Sequence, residues 1–444
     1  MALTDLILFP FYVLLFYFIF LWRRKRIKDP VLRKYHKYGF WIKVLGTIAF
    51  TLFHVFVTLG DTTVLYYTEG INITKLILKD PSYIKLIFSA AKDFDQDLLA
   101  DTFNKGYLLN ESNYLVTTLV TVFSFFSFGS YSVINLIFSM ISFSGVWRLY
   151  KFFYQQYPAL HRQLALAVLY LPTFVFWSSG ILKDPLCTGM LGWFTYSIYR
   201  AFIQRKGITL NIVAAFFAAY ILAVVKPYIL LAYLPFFTMY VVLVNFKMMT
   251  KVLSKIALLI SIFVIVTGCI FILAANMEAI LGNLALDKLT ESVKSTQEKF
   301  EGISSYAESA FSLGVEFDGS TQSLVSIAPA AIAATLFRPY IWESKKLSTL
   351  LSSLESLAFI LFTVYVFFRA GPFRFIAGII KVPMIMFCFW FAILFALFIG
   401  ATTLNFGTLV RYKVPCLPFY LVSLILILDR CKKKQTSAEP AEAV

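Results

Sequence analysis

Apolar residues fall into long runs, each near the roughly 20 residues a helix needs to cross a bilayer core, separated by basic or polar breaks. The pattern predicts eleven spans, near 3–22, 40–59, 130–150, 163–180, 185–203, 209–225, 228–246, 256–275, 353–368, 383–402 and 412–428. In the first, the charges follow the apolar stretch and no small-residue cleavage site appears, so it reads as a retained helix and not a signal peptide. Two further apolar stretches, 114–128 and 324–338, read as interfacial or re-entrant, because counting them as crossings inverts the charge pattern on one side. Two long loops remain, 60–129 and 276–352. In the first, Leu76, Ile77, Ile84, Ile87 and Phe88 alternate with Lys75, Lys79, Lys85 and Lys92, as in helices that lie on a membrane surface. The second carries Leu286, Leu289, Val293, Phe300, Ile303 and Phe311 at helical spacing among charges. The chain thus reads as one all-α transmembrane domain over 1–434, followed by a polar tail at 435–444.

Loop charge sets the orientation. Arg23 to Lys28, Lys151, Arg162, Arg205 and Lys206, Lys247 to Lys255, Arg369 to Lys381 and Arg430 to Lys434 recur at alternate boundaries, so the positive-inside rule assigns them to the cytoplasm. The N-terminus is then outside and the C-terminus inside. Composition agrees: 59% of residues are hydrophobic, 14% are charged and the mean hydropathy is +0.77, which excludes an ordinary soluble domain. The net charge of +16 is therefore a topology signal and not a nucleic-acid footprint. The five cysteines are widely spaced and form no C-x-x-C pair, and the three histidines lie far apart, so neither a zinc site nor a disulfide framework is expected. No Walker or Rossmann motif supports use of ATP or NAD.

The informative ionisable residues lie at the predicted outer ends of spans. Asp61, in Gly60-Asp61-Thr62 with Tyr66, Tyr67 and Glu69 following, is either the cap of the next helix or a rim carboxylate able to take a proton from a hydroxyl. In Trp177-Ser178-Ser179-Gly180-Ile181-Leu182-Lys183-Asp184-Pro185, capping or a local ion pair accounts for Asp184 and Pro185. An outward Lys183 beside Gly and two Ser suits an anionic ligand. Lys226 precedes Pro227 at an outer turn. Arg338 lies in Phe337-Arg338-Pro339-Tyr340-Ile341-Trp342-Glu343, where Glu343 is an alternative partner and Tyr340 and Trp342 resemble interfacial anchors. Arg411 ends Asn405-Phe406-Gly407-Thr408-Leu409-Val410-Arg411 and precedes Tyr412. Together these offer four cations beside a carboxylate on one membrane face.

The Gly-Asp context after an early span, the surface helices of the first loop and the outward cations resemble the GT-C class of membrane glycosyltransferases, which includes protein O-mannosyltransferases and aminoarabinose transferases. The stretches at 177–184, 337–343 and 405–412 are similar to bacterial membrane proteins linked to surface polysaccharide synthesis. The resemblance implies a GT-C-like fold in a bacterial inner membrane and a polyprenyl-phosphate or polyprenyl-diphosphate sugar donor. It also implies a glycan, lipid or protein acceptor outside the cytoplasm. By position, Asp61 is then the catalytic base and Lys183, Lys226, Arg338 and Arg411 the donor-phosphate contacts. Tyr67, Glu69, Ser179, Asp184, Trp342, Glu343, Asn405 and Tyr412 support them. The class often pairs acidic residues in the first loop, whereas Thr62 follows Asp61 here, so a divalent cation has no acidic pair to hold it. Two other classes remain: a transporter of lipid-linked sugars, which needs ionisable groups at mid-membrane depth, and a non-enzymatic subunit of a polysaccharide assembly machine. Span interiors read as mostly apolar, with ionisable residues at their ends, which weighs against transport.

Overall fold

The computed structural model describes residues 3–58, 60–95, 98, 106–248, 311–313, 321–344 and 347–436. The expected span at 256–275, nearly all of the 276–320 part of the second loop and the tail from 437 lie outside the described residues. Among the described residues the chain is all-helical, and seven helices are long and apolar enough to cross a membrane. They are α1 (Leu3–Lys25), α2 (Pro30–Phe56), α5 (Tyr131–Gln156), α9 (Ile208–Val225), α10 (Pro227–Met248), α12 (Leu347–Ala370) and α14 (Pro383–Thr402). Between them lie α3 (Thr68–Lys79), α4 (Glu111–Ser127), α6 (His161–Leu169), α7 (Pro172–Trp177), α8 (Lys183–Ile198), α11 (Thr321–Phe337) and α13 (Pro372–Lys381). The last two, α15 (Phe406–Tyr412) and α16 (Leu417–Thr436), meet at a bend of 62° and pass the same test only as a pair. Leu6, Ile7, Phe11 and Phe18 of α1 and Leu210, Phe216 and Phe217 of α9 are exposed, a density of apolar surface that needs lipid to cover it.

Three of the ten expected spans that fall on described residues are not straight helices of full length. At 163–180 the helix stops at Leu169 and restarts at Pro172, because proline lacks an amide proton and disfavours helical geometry in the residue before it. The stretch at 185–203 is the shorter α8 continued by a π-helical turn at Tyr199–Ile203, 412–428 is the bent pair, and 256–275 is not described. The two stretches set aside in the sequence, 114–128 and 324–338, fall on α4 and α11, continuous helices of 17 residues each, about 25 Å long.

The chain divides into two compact units, one of Met1–Ala201 with Arg205–Lys226, the other of Phe202–Gln204 with Pro227–Val444. In the first, α5 and α8 run parallel, in step: Asn135 Oδ1 accepts from the Ile181 amide, Ser142 meets Thr188 at 3.0 Å, and Arg148 lies over Trp193. Glycines permit the close approach. A Cβ on Gly145 would stand 1.7 Å from the Gly189 carbonyl oxygen, and one on Gly192 2.1 Å from that of Gly145. Lipid tails are as apolar as leucine, so helices in a bilayer associate through such packing and through polar contacts instead. The small polar residues Ser132, Asn135, Ser139 and Ser142 form a buried stripe on the same helix. The first loop closes over a small core of Ile73, Ile77, Leu86, Phe94, Leu108 and Tyr114, leaving Lys75, Leu78, Lys79, Ile84 and Phe88 exposed.

In the second unit α14 is central. Gly400 lets α11 approach until a Cβ would stand 2.0 Å from the Ala331 carbonyl, and Thr335 Oγ1 donates to Ala396 O at 2.8 Å. Tyr233 of α10 packs its ring against Phe387 and Phe391 of α14 and Phe419 of α16. Gly145→Leu is expected to cost about 3 kcal/mol or more, because backbone atoms must part to admit the side chain. Gly60→Ala, where an added Cβ meets nothing within 4 Å, leaves stability unchanged. Unfolding midpoints of the detergent-solubilised variants check the pair.

Candidate functional site

The helical path after α2 restarts at Gly60 as a π-helical segment, Asp61–Tyr67, and runs directly into α3. Wide turns of this kind are rare and concentrate at functional positions. Asp61 begins the segment, and its side chain lies outside the described residues. The other side chains tie the turn down. Thr62 Oγ1 meets Tyr131 Oη at 2.6 Å, and Tyr67 Oη donates to Gly129 O at 2.7 Å with its ring edge-on to Tyr131. Tyr66, almost fully buried, donates to Asn113 Oδ1 at 3.3 Å.

Asn113 stands in the first turn of α4, beside Ser112, whose hydroxyl oxygen accepts from Lys183 Nζ. Ser112 in turn donates to Asn110, the N-cap of α4. Lys183 at the head of α8 and the π-helical turn are thus joined through adjacent residues of a third helix. Glu69, two residues beyond the turn, is 5% exposed, and its Oε2 has no hydrogen-bond partner. Burial raises its carboxyl above the ordinary value, an effect the Asn72 side chain partly offsets.

Asp184, fully buried in the first turn of α8, forms an ion pair with Lys226, itself buried at the C-terminal end of α9. The carboxylate faces the positive end of one helix dipole and the ammonium the negative end of the other. Lys226, expected at an outer turn as a phosphate contact, thus holds α8 to α9. The two serines before Lys183 are also committed. Ser178 Oγ donates to Phe174 O, and Ser179 Oγ donates to Val175 O at 2.6 Å, so each has spent its one proton on α7.

The sequence reading missed Lys43. It lies at the midpoint of α2, 3% exposed, and its ammonium donates to the Ser178 carbonyl, to Ser178 Oγ at 2.8 Å and to Ser142 Oγ at 3.5 Å. The expectation of mostly apolar span interiors therefore has an exception in Lys43. Asp29-Pro30, a side-chain cap followed by proline at the first helical position, is the sequence signal that puts the helix start far enough back to make Lys43 central.

In the second unit the motifs at 337–343 and 405–412 meet. Arg338 forms a forked pair with Glu343, through Nε at 3.0 and 3.2 Å and through Nη2, and donates through Nη1 to Ser312 O at 3.0 Å. Its guanidinium lies 4.4 Å from the Phe311 ring centre and 5.2 Å from that of Phe406. Asn405 caps α15 through the amides of Gly407 and Thr408. Arg411, half-buried in the last turn of α15, lies 5.9 Å from the Tyr412 ring. Trp342 is 82% exposed and stacks on Tyr340. Lys413, also missed, is buried at the bend and donates to Arg338 O at 2.8 Å and Ser356 Oγ at 3.1 Å. Among the described residues no three His, Cys, Asp or Glu side chains gather where a metal ion could be held.

Comparison of the chain with protein-family models, with curated proteins and with solved structures found no match. Two expectations follow from the geometry. Lys226→Met, which leaves Asp184 buried without its ammonium, costs about 3–5 kcal/mol, and adding Asp184→Leu restores most of it. Unfolding in mixed micelles measures both. The raised Glu69 carboxyl keeps its proton to higher pH in the folded than in the unfolded chain. The contribution of Glu69 to stability is therefore greatest in acid and falls as pH rises from the ordinary 4.5 to the raised value. Glu69→Gln flattens that slope in a pH series of unfolding midpoints.

Proposed function

We propose that this is a membrane glycosyltransferase that uses a polyprenyl-phosphate or polyprenyl-diphosphate sugar donor at the outer face of the membrane, in the manner of the GT-C class. One observation carries the reading: the π-helical turn begun by Asp61 and the lysine heading α8 converge on Ser112 and Asn113 of α4. A carboxylate and an ammonium are what the transfer needs. Asp61 takes the proton of the acceptor hydroxyl as its oxygen attacks the anomeric carbon. Lys183, which heads α8 and donates to the Ser112 hydroxyl, offsets the charge that develops on the departing lipid phosphate. Lys226 and Arg338 spend their charge on Asp184 and Glu343, so in this reading they hold helices and loops in place. Arg411 keeps its donor-phosphate role on the strength of the motif at 405–412. The eleven-span arrangement, the outside N-terminus, the single transmembrane domain and the bacterial inner membrane belong to the same proposal. The acceptor, whether glycan, lipid or protein, is outside the cytoplasm.

A second reading is favoured by Lys43. A cation at the midpoint of an apolar helix, bonded to the end of a broken one, is the arrangement that transporters place along a substrate path. Proteoliposomes supplied with a panel of polyprenyl-phosphate and polyprenyl-diphosphate sugars separate the two. Asp61→Asn is expected to lower transfer by about 100-fold or more with normal expression and folding. Full transfer by that variant removes Asp61 from the mechanism. Lipid movement without transfer, lost in Lys43→Met, favours transport.

A further inference from the structure

At the end of α5 and α8 away from Lys183, about 20 Å along the helix axis at a rise of about 1.5 Å per residue, a cleft of about 690 Å³ opens between α1, α2 and α5. Four cations line it: Arg23 from α1, Arg26 just after that helix, and Arg148 and Lys151 from α5. The rest of its lining is aromatic and aliphatic apart from Ser144 and His36, with no carboxylate. None of the four cations has an ion-pair partner among the described residues. Asp29, at the same turn of the chain, spends Oδ1 on the first amides of α2 and Oδ2 on the Tyr154 hydroxyl.

Topology alone does not account for this arrangement. Basic residues that mark a cytoplasmic face need only reach water, and long side chains do so easily. Here the Arg148 guanidinium lies 3.2 Å from the Trp193 ring centre and donates through Nη1 to Ser144 O, while Lys151 lies 4.4 Å from the Tyr196 ring centre. Both are half-buried and held against aromatic faces. A second observation is independent of the charges. His36, 6% exposed between Phe20 and Trp147, lines the cleft with its Nδ1 unpartnered.

We infer that this cleft binds the phosphate head of an anionic lipid. Guanidinium and ammonium donors take the phosphate oxygens, and the aromatic slot beneath takes the first part of the hydrocarbon chain. The volume lies within the usual range of small-ligand sites, and basic pockets between membrane helices are established receptors for phosphate headgroups. The site stands apart from the transfer reading, since it uses none of the residues assigned to transfer.

The test is native mass spectrometry of the full chain in detergent, titrated separately with phosphatidic acid, phosphatidylcholine and inorganic diphosphate. Phosphatidic acid is expected to bind at least tenfold more tightly than phosphatidylcholine, with inorganic diphosphate weaker than either. Arg148→Ala with Lys151→Ala lowers phosphatidic acid binding at least tenfold. Lys75→Ala with Lys79→Ala, on the exposed face of α3, leaves it unchanged. If the α5 pair fails to fold, Arg23→Gln with Arg26→Gln is expected to give at least a fivefold loss. Equal binding of the two lipids, or unchanged binding in the α1 and α5 variants, overturns the inference. Diphosphate binding as tight as that of phosphatidic acid overturns the assignment to a lipid.

Discussion

A lysine ammonium that satisfies the end of a broken helix is the interaction on which the first unit depends. Where α7 stops, the carbonyls of Phe174, Val175 and Phe176 accept from the amides and hydroxyls of Ser178 and Ser179, and the next carbonyl, that of Ser178, needs a donor that water does not supply inside a bilayer. Lys43 reaches from the middle of α2 and donates to the carbonyl and hydroxyl of Ser178, the residue that caps α7. The chain can then turn through Ser179 to Leu182 and begin α8 with Lys183. Removing Lys43 therefore does more than delete a charge, because it leaves a buried carbonyl unpaired at the turn that presents the candidate site. The second unit uses the same chemistry. Lys413 donates to the carbonyl of Arg338, the residue that follows α11, from the bend between α15 and α16.

The break also sets the geometry of the unit. Because α6 and α7 carry the chain back, α8 runs parallel to α5, and the glycines at 145, 189 and 192 let the two helices meet backbone to backbone. Parallel, in-step helices have two distinct ends. One carries Lys183 beside the first turn of α4, and the other carries Arg148 and Lys151 against Trp193 and Tyr196. Both hold cations, but their surroundings differ. Ser112, a neutral hydroxyl within a hydrogen-bonded network, receives Lys183, whereas the opposite cations line an aromatic cleft.

Apolar run length alone located seven of the expected spans, because a helix of 18 or more apolar residues needs no further information. It failed where local chemistry overrides length. Pro172 divides 163–180, and Pro415 and Pro418 accompany the bend at 413–416, so composition that suits a crossing belongs to two shorter helices. The motifs at 337–343 and 405–412 do meet in the second unit, and in the first Tyr66 and Lys183 bond neighbouring residues of α4. Sequence could not say which charges were already spent. Asp184 and Lys226 lie 42 residues apart, and their pairing depends on how α8 packs against α9. Lys43 was hidden for a different reason: with the span placed at 40–59 it falls near the start of the crossing, although the helix begins at Pro30.

The most direct measurement is a structure of the full chain bound to a polyprenyl-phosphate analogue. The proposed function predicts phosphate density within hydrogen-bonding distance of Lys183 Nζ, with the Lys183 side chain drawn from Ser112 toward it. Phosphate bound elsewhere, with Lys183 still on Ser112, contradicts the assignment of this corner as the donor site.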